Sequence, residues 1–198
     1  MNENVAAFLK VLDSTDNTTG GGTASAIAGA MAGALVAMVA RLSVNREGSR
    51  PEAFYRSLAA DAERLSAELF DGGRGDSLSF EGVRNAYRMP KRTEEEKAAR
   101  SSVLQSSWLQ ATLVPLENAE RCAHVLRLGI QLQDCSNPNT ASDLSCALFL
   151  ALTGLKGCLA NVDINIPHIK DPQAVSDVSE RAHDLNTYQN ECVQFVFK

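Results

Sequence analysis

The chain has 198 residues, of which 44% are hydrophobic and 22% charged, with a formal net charge of −5. That length supports one domain with a substantial core, and that composition excludes a disordered chain. The acidic balance argues against nucleic acid as the main partner, because a surface that tracks phosphates needs a basic excess.

The first residues, MNENVAAFLKVLD, carry an acid early and lack a basic segment followed by an apolar run, so no signal peptide is expected. Cys122, Cys135, Cys146, Cys158 and Cys192 are odd in number and form no C-x-x-C pair. Reduced thiols in a cytoplasmic protein are the simplest expectation. His124, His168 and His183 are scattered without zinc-ligand spacing, so no metal site is expected.

Apolar residues recur at intervals of three and four, and alternating β-branched runs are absent. The chain therefore reads as an all-α helical bundle, with helices over 3–13, 20–44, 50–70, 77–88, 93–131, 141–165 and 172–196. FDGGRGDS (70–77) contains three glycines and reads as a break between the third and fourth helices. Pro90 ends the fourth, and Thr93 with Glu96 forms a T-x-x-E capping box for the fifth. Pro115 is expected to kink that long helix. No repeat or linker divides residues 1–198, so they form one domain.

The run from Asp16, DNTTGGGTASAIAGAMAGALVAMVARLS, has no charge until Arg41 and invites three readings. It is long enough to span a membrane, but Ala and Gly carry little insertion energy, so no membrane partner is expected. A phosphate loop needs a Lys-Ser/Thr pair after a strand, and neither is present. A closely packed helix remains. Ile27, Met31, Leu35, Val39 and Leu42 make a bulky ridge, and Ser25, Gly29, Gly33 and Ala37 make a smooth groove beside it. Gly20, Gly21 and Gly22 would leave the first N–H groups of the helix uncovered, which suits an anionic or electron-rich ligand. A tight turn capped by Thr18 or Thr19 explains them equally well.

The segment from 137 to 167 again carries two stripes. Leu144, Leu148, Leu152, Leu155, Leu159, Val162 and Ile166 form a core ridge, and Ala147, Ala151, Gly154 and Cys158 a smooth one. Asp143 precedes the smooth stripe, and Asn161 and Asn165 follow it. Asp143 and Asn161 stand about 27 Å apart along one helix. They share one site only if the helix breaks or if two copies pack antiparallel along their smooth stripes. Plainer roles are a dipole partner for Asp143 beside Ser142 as N-cap, and C-terminal capping for the asparagines.

Four motifs, taken together and in order, carry a resemblance: TGGGT (19–23), AYRMPKRTEEEK (86–97), NTASD (139–143) and NVDIN (161–165). They resemble the P-G-G-G-S, A-Y-x-x-P-K, N-x-x-S-D and N-V-x-I-N motifs of the cyclodeaminase/cyclohydrolase family of folate enzymes. Asp76 and Phe80 match the family's D-x-x-x-F pattern. Thr19 replaces the family's Pro, Thr23 its usual Ser, and the glycine-rich 70–77 departs from its unbroken helix.

The resemblance implies an all-α subunit that forms a homodimer. It also implies a tetrahydrofolate substrate, which can carry a polyglutamate tail, and no cofactor beyond that substrate. Implied site residues are Gly20, Gly21, Gly22 and Thr23 at the helix start, and Asp143 as the proton-handling carboxylate oriented by Asn139 and Ser142. Asn161 and Asn165 would hydrogen-bond the pterin or the reacting amide. Lys91 joins Asp143 in the candidate catalytic set and, with Arg92, would meet carboxylates of the folate tail; a solvated turn is the plain alternative. Expected activities are methenyltetrahydrofolate cyclohydrolase, then formiminotetrahydrofolate cyclodeaminase, then a folate-binding homologue without turnover. The absence of a fused formiminotransferase domain from these 198 residues favours the first.

Overall fold

Small side chains let helix backbones approach closely, and the Ala/Gly-rich run uses this to become the centre of the molecule. The computed structural model describes residues 3–16, 18–45 and 49–196, and every regular element among them is helical. In chain order these are α1 (Glu3–Leu12), α2 (Gly21–Arg41), α3 (Glu52–Arg88), α4 (Glu94–Leu132), α5 (Ala141–Asn165) and α6 (Pro172–Val196). Single 3₁₀ turns at Pro138–Thr140 and Ile166–His168 flank α5. Helices α3, α4 and α5 surround α2, α6 covers α4 and α5, and α1 lies against α2 and α3.

Leu69, Leu116, Leu126 and Leu155, from three different helices, are fully buried around α2. Each contributes roughly 1.5–3 kcal/mol by leaving water. By length and composition α2 could cross a membrane, but most of its residues are enclosed by the bundle. Of its expected ridge, Ile27 and Val39 are buried while Met31 and Leu42 are exposed. Of the second ridge, Leu152 on α5 and Ile166 in the turn after it are half-buried, and the rest is core.

The smooth stripes are consumed inside one chain, which corrects the expectation that they join two copies. A side chain at Gly154 would press on the Ser25 carbonyl at 2.8 Å and the Gly29 nitrogen at 3.1 Å, so α5 and α2 touch backbone to backbone. Gly33 lies just as close to the Ala62 carbonyl of α3. Ala147, Ala151 and Cys158 are fully buried.

The expected break at 70–77 does not occur: α3 runs unbroken through all of FDGGRGDS. An interior glycine costs about 1 kcal/mol relative to alanine, and here that cost is offset by close approach. Asn118 of α4 donates from Nδ2 to the Gly72 carbonyl at 3.1 Å, in space that a Gly72 side chain would fill. Gly73 faces Thr23 and Ile27 of α2. This contact brings the next turn of α3 against the start of α2. The Thr93–Glu96 capping box forms as expected, each backbone N–H donating to the other side chain.

Candidate active site

Four helices converge where α2 begins and enclose a cavity of about 350 Å³, a size suited to a small organic ligand. Gly20–Gly22 form one wall, α3 supplies Asp76, Ser77 and Phe80, α4 supplies Trp108, and α5 supplies Asn161 and Asn165.

The N-cap of α2 is Gly20, which has no side chain to cap with. Thr18 instead folds back on Asp16, donating from Oγ1 at 2.5 Å, and Thr19 lies 3.5 Å from the Ser77 hydroxyl. Neither threonine caps the helix. Asp76 of α3 faces this open start: its Oδ2 accepts the Thr23 hydroxyl at 3.0 Å, and the Thr23 backbone N–H favours its charged form. Its Oδ1 accepts the Asn161 amide at 2.9 Å. Among the described residues no hydrogen bond takes up the Gly21 or Gly22 N–H, and both glycines line the cavity.

Asp76 is only 7% exposed. Burial pushes its carboxyl above the ordinary value, and the bonds from Thr23 and Asn161 pull it down without cancelling that push. A carboxylate can accept about four hydrogen bonds, so accepting from Thr23 and Asn161 leaves Asp76 room to take a proton. A base held nearer neutrality is what proton transfer to a reacting atom needs.

Gly22 is required by the same packing. An added Cβ there would strike the Asn161 amide and lie 2.5 and 2.7 Å from the two Asp76 oxygens.

Asn165 has a different task. Pro115 lies inside α4 and lacks an N–H, so the Ala111 carbonyl four residues back loses its helical donor. Asn165 fills that vacancy, donating from Nδ2 to the Ala111 oxygen at 2.7 Å. Asn165→Ala strands this buried acceptor, and the expected loss is about 1–3 kcal/mol of stability, read from urea unfolding. An unchanged midpoint would remove this role.

The structure therefore brings together Gly20, Gly21, Gly22, Thr23, Asn161 and Asn165. Both asparagines bond other helices rather than capping α5. Asp143 lies in the first turn of α5, about 27 Å along the helix from Asn161, and one chain does not bring it to the cavity. Thr140, not Ser142, occupies the N-cap position of α5. Ser142 and Asn139 are exposed, and the Asn139 N–H donates to the Asn137 side chain. Lys91 and Arg92 are exposed in the turn between α3 and α4, outside the cavity lining.

Sequence reasoning matched Asp76 and Phe80 to a motif without giving them a role. It passed over Trp108 and His168, whose rings stack 4.0 Å apart on the cavity wall. The D-x-x-x-F spacing was the available signal for Asp76. Trp108 and His168 had none, since they are 60 residues apart.

An all-helical bundle with a buried carboxylate at an open helix start defines a small-molecule site equipped for proton transfer. Residues 4–184 match the family model described as formiminotransferase-cyclodeaminase, and the chain belongs to that family. It is 36% identical over 171 residues to a methenyltetrahydrofolate cyclohydrolase of Methylorubrum extorquens, covering 86% of this chain and 82% of that protein. It is 30% identical to the formimidoyltransferase-cyclodeaminase of Sus scrofa, covering 90% of this chain and 33% of that longer protein. Among solved structures, the formiminotetrahydrofolate cyclodeaminase of Thermotoga maritima superposes with a TM-score of 0.80 at 27% identity, covering 92% of this chain and 88% of that one.

Proposed function

We propose that the protein is a methenyltetrahydrofolate cyclohydrolase, converting 5,10-methenyltetrahydrofolate and water to 10-formyltetrahydrofolate. The reading rests on Asp76, a buried carboxylate with raised proton affinity lining a ligand-sized cavity. It is supported by the cyclohydrolase relative, which matches over most of both chains.

In this reading Asp76 takes a proton from water as the water oxygen bonds to the carbon bridging N5 and N10. The cationic amidinium becomes a neutral tetrahedral adduct. Asp76 returns the proton to N5 as the carbon–N5 bond breaks, and the adduct's hydroxyl releases its own proton to leave a formyl group on N10. One proton is released overall. Thr23 and Asn161 hold the carboxylate in place, and the Gly21 and Gly22 N–H groups offer donors to the developing oxygen. The substrate's own cationic carbon is the electrophile, so the step asks for no further cofactor.

Lys91 and Arg92 are exposed just past the end of α3, the helix that carries Asp76, and are the basic residues proposed to meet a polyglutamate tail. A homodimer would have to use outward residues such as Met31 and Phe149, 46% and 43% exposed, because the smooth stripes are already packed. The cytoplasm, where folate one-carbon chemistry runs under reducing conditions, suits the five free thiols.

A cyclodeaminase is the second reading, favoured by the Thermotoga maritima structure. The two separate in one assay. The purified chain should speed the loss of methenyl absorbance above the uncatalysed rate. With 5-formiminotetrahydrofolate it should release no ammonia. Ammonia release without methenyl hydrolysis would reverse the order, and no change with either substrate would remove both.

A further inference from the structure

Trp108 is the chain's sole tryptophan. Its indole packs with Val83 and Ala111 and is 8% exposed. The His168 ring lies almost parallel on it, with centroids 4.0 Å apart and planes 15° from one another. His168 is exposed, so the imidazole is the outer ring of the pair, and both residues line the cavity that holds Asp76. Gln105 of α4 clamps the turn that carries it: Nε2 donates to the His168 carbonyl at 3.2 Å, and Oε1 accepts the Lys170 N–H at 2.8 Å. Tyr87 meets the indole edge-on from the end of α3. An exposed ring normally samples several rotamers, and ordering it costs entropy. Here the stack and the Gln105 clamp hold it as a fixed flat surface.

We propose that His168, backed by Trp108, is the specificity-determining contact for the flat, cationic, bridged ring of the folate. This rests on the folate reading above. Joining N5 and N10 through one sp² carbon spreads a positive charge over a planar N–C–N unit. Aromatic faces attract such cations and stack on such planes. Opening the bridge removes both the charge and the planarity, so the wall distinguishes substrate from product as well as bridged from unbridged folates. Asp76 acts on the reacting atoms, and His168 selects which ring stays in the cavity.

The test compares KM and kcat for 5,10-methenyltetrahydrofolate with the inhibition constant of 5-formyltetrahydrofolate, which has no bridge and no positive charge between N5 and N10. His168→Ala should raise KM about tenfold, the size of one aromatic contact to a cation. Its kcat should stay within about twofold, and the 5-formyl inhibition constant should not move. His168→Phe, which keeps a flat ring, should restore most of the KM. Because His168 is exposed, neither variant depends on core repacking. A wild-type chain that hydrolyses the substrate, with a His168→Ala variant of unchanged KM, overturns the wall alone. So does an equal rise in KM and in the 5-formyl constant. A wild-type chain that neither turns over nor binds these folates overturns the wall and the folate reading together.

Discussion

Asp76→Asn lowers kcat for methenyl hydrolysis by about 10²–10⁴-fold, the range for losing a positioned general base. The amide has nearly the same shape but cannot take the proton from water. The fold should survive, because one amide orientation still accepts the Asn161 or the Thr23 donor. Circular dichroism on the variant separates lost chemistry from lost structure. Retained turnover in Asp76→Asn, with loss in Asp143→Asn instead, would move the proton-handling role to the other end of α5.

The same carboxylate makes both activity and stability depend on pH, in opposite directions. As a base Asp76 must be ionised, so kcat/KM should rise with pH through a value above the ordinary 3.8, and Asp76→Asn should lack that limb. For stability, burial raises the folded value above the unfolded one. The folded chain therefore keeps a proton that the unfolded chain has released. Asp76's contribution to stability is fully present below the unfolded value and is lost as pH climbs through the folded one. The melting temperature of Asp76→Asn relative to wild type should thus improve between pH 4 and pH 8. A variant whose melting temperature instead falls further below wild type over that range would show that the hydrogen bonds outweigh burial.

Local sequence rules read well where the cause is local. The capping box at Thr93 and Glu96 depends on residues three apart, and the span of α5 depends on its own three–four periodicity. They misread FDGGRGDS because helix propensity counts glycine's cost but not the neighbour that makes it worthwhile. Asn118 lies 46 residues from Gly72. The smooth stripes were visible, but a stripe does not name its partner, and α5 and α3 rather than a second copy fill the groove of α2. Asp143 drew attention because Ser142 and Asn139 stand beside it in sequence. Asp76 looked alone, since its partners Thr23 and Asn161 lie 53 and 85 residues away.

Gly22→Ala should damage the site more than any other single methyl group added at the start of α2. The new Cβ would overlap the Asn161 amide and approach both Asp76 oxygens at 2.5 and 2.7 Å, well inside contact. Neither neighbour is a loose surface tip. Asp76 is buried and bonded on both oxygens, and Asn161 is half-buried on α5. Relief requires either that α2 draw back, breaking the Thr23 hydroxyl bond to Asp76, or that Asp76 rotate out of its pairing. Overpacking of this kind costs about 1–3 kcal/mol, and the displaced base should cost at least about 100-fold in kcat. Gly20→Ala is the stability control. Nothing lies within 4 Å of its added Cβ, and its φ of −132° is open to any residue, so its melting temperature should not fall. Gly22→Ala with wild-type turnover and melting temperature would mean that the start of α2 can move away from Asp76 at no cost, and the carboxylate would then not be held where the proton transfer requires it.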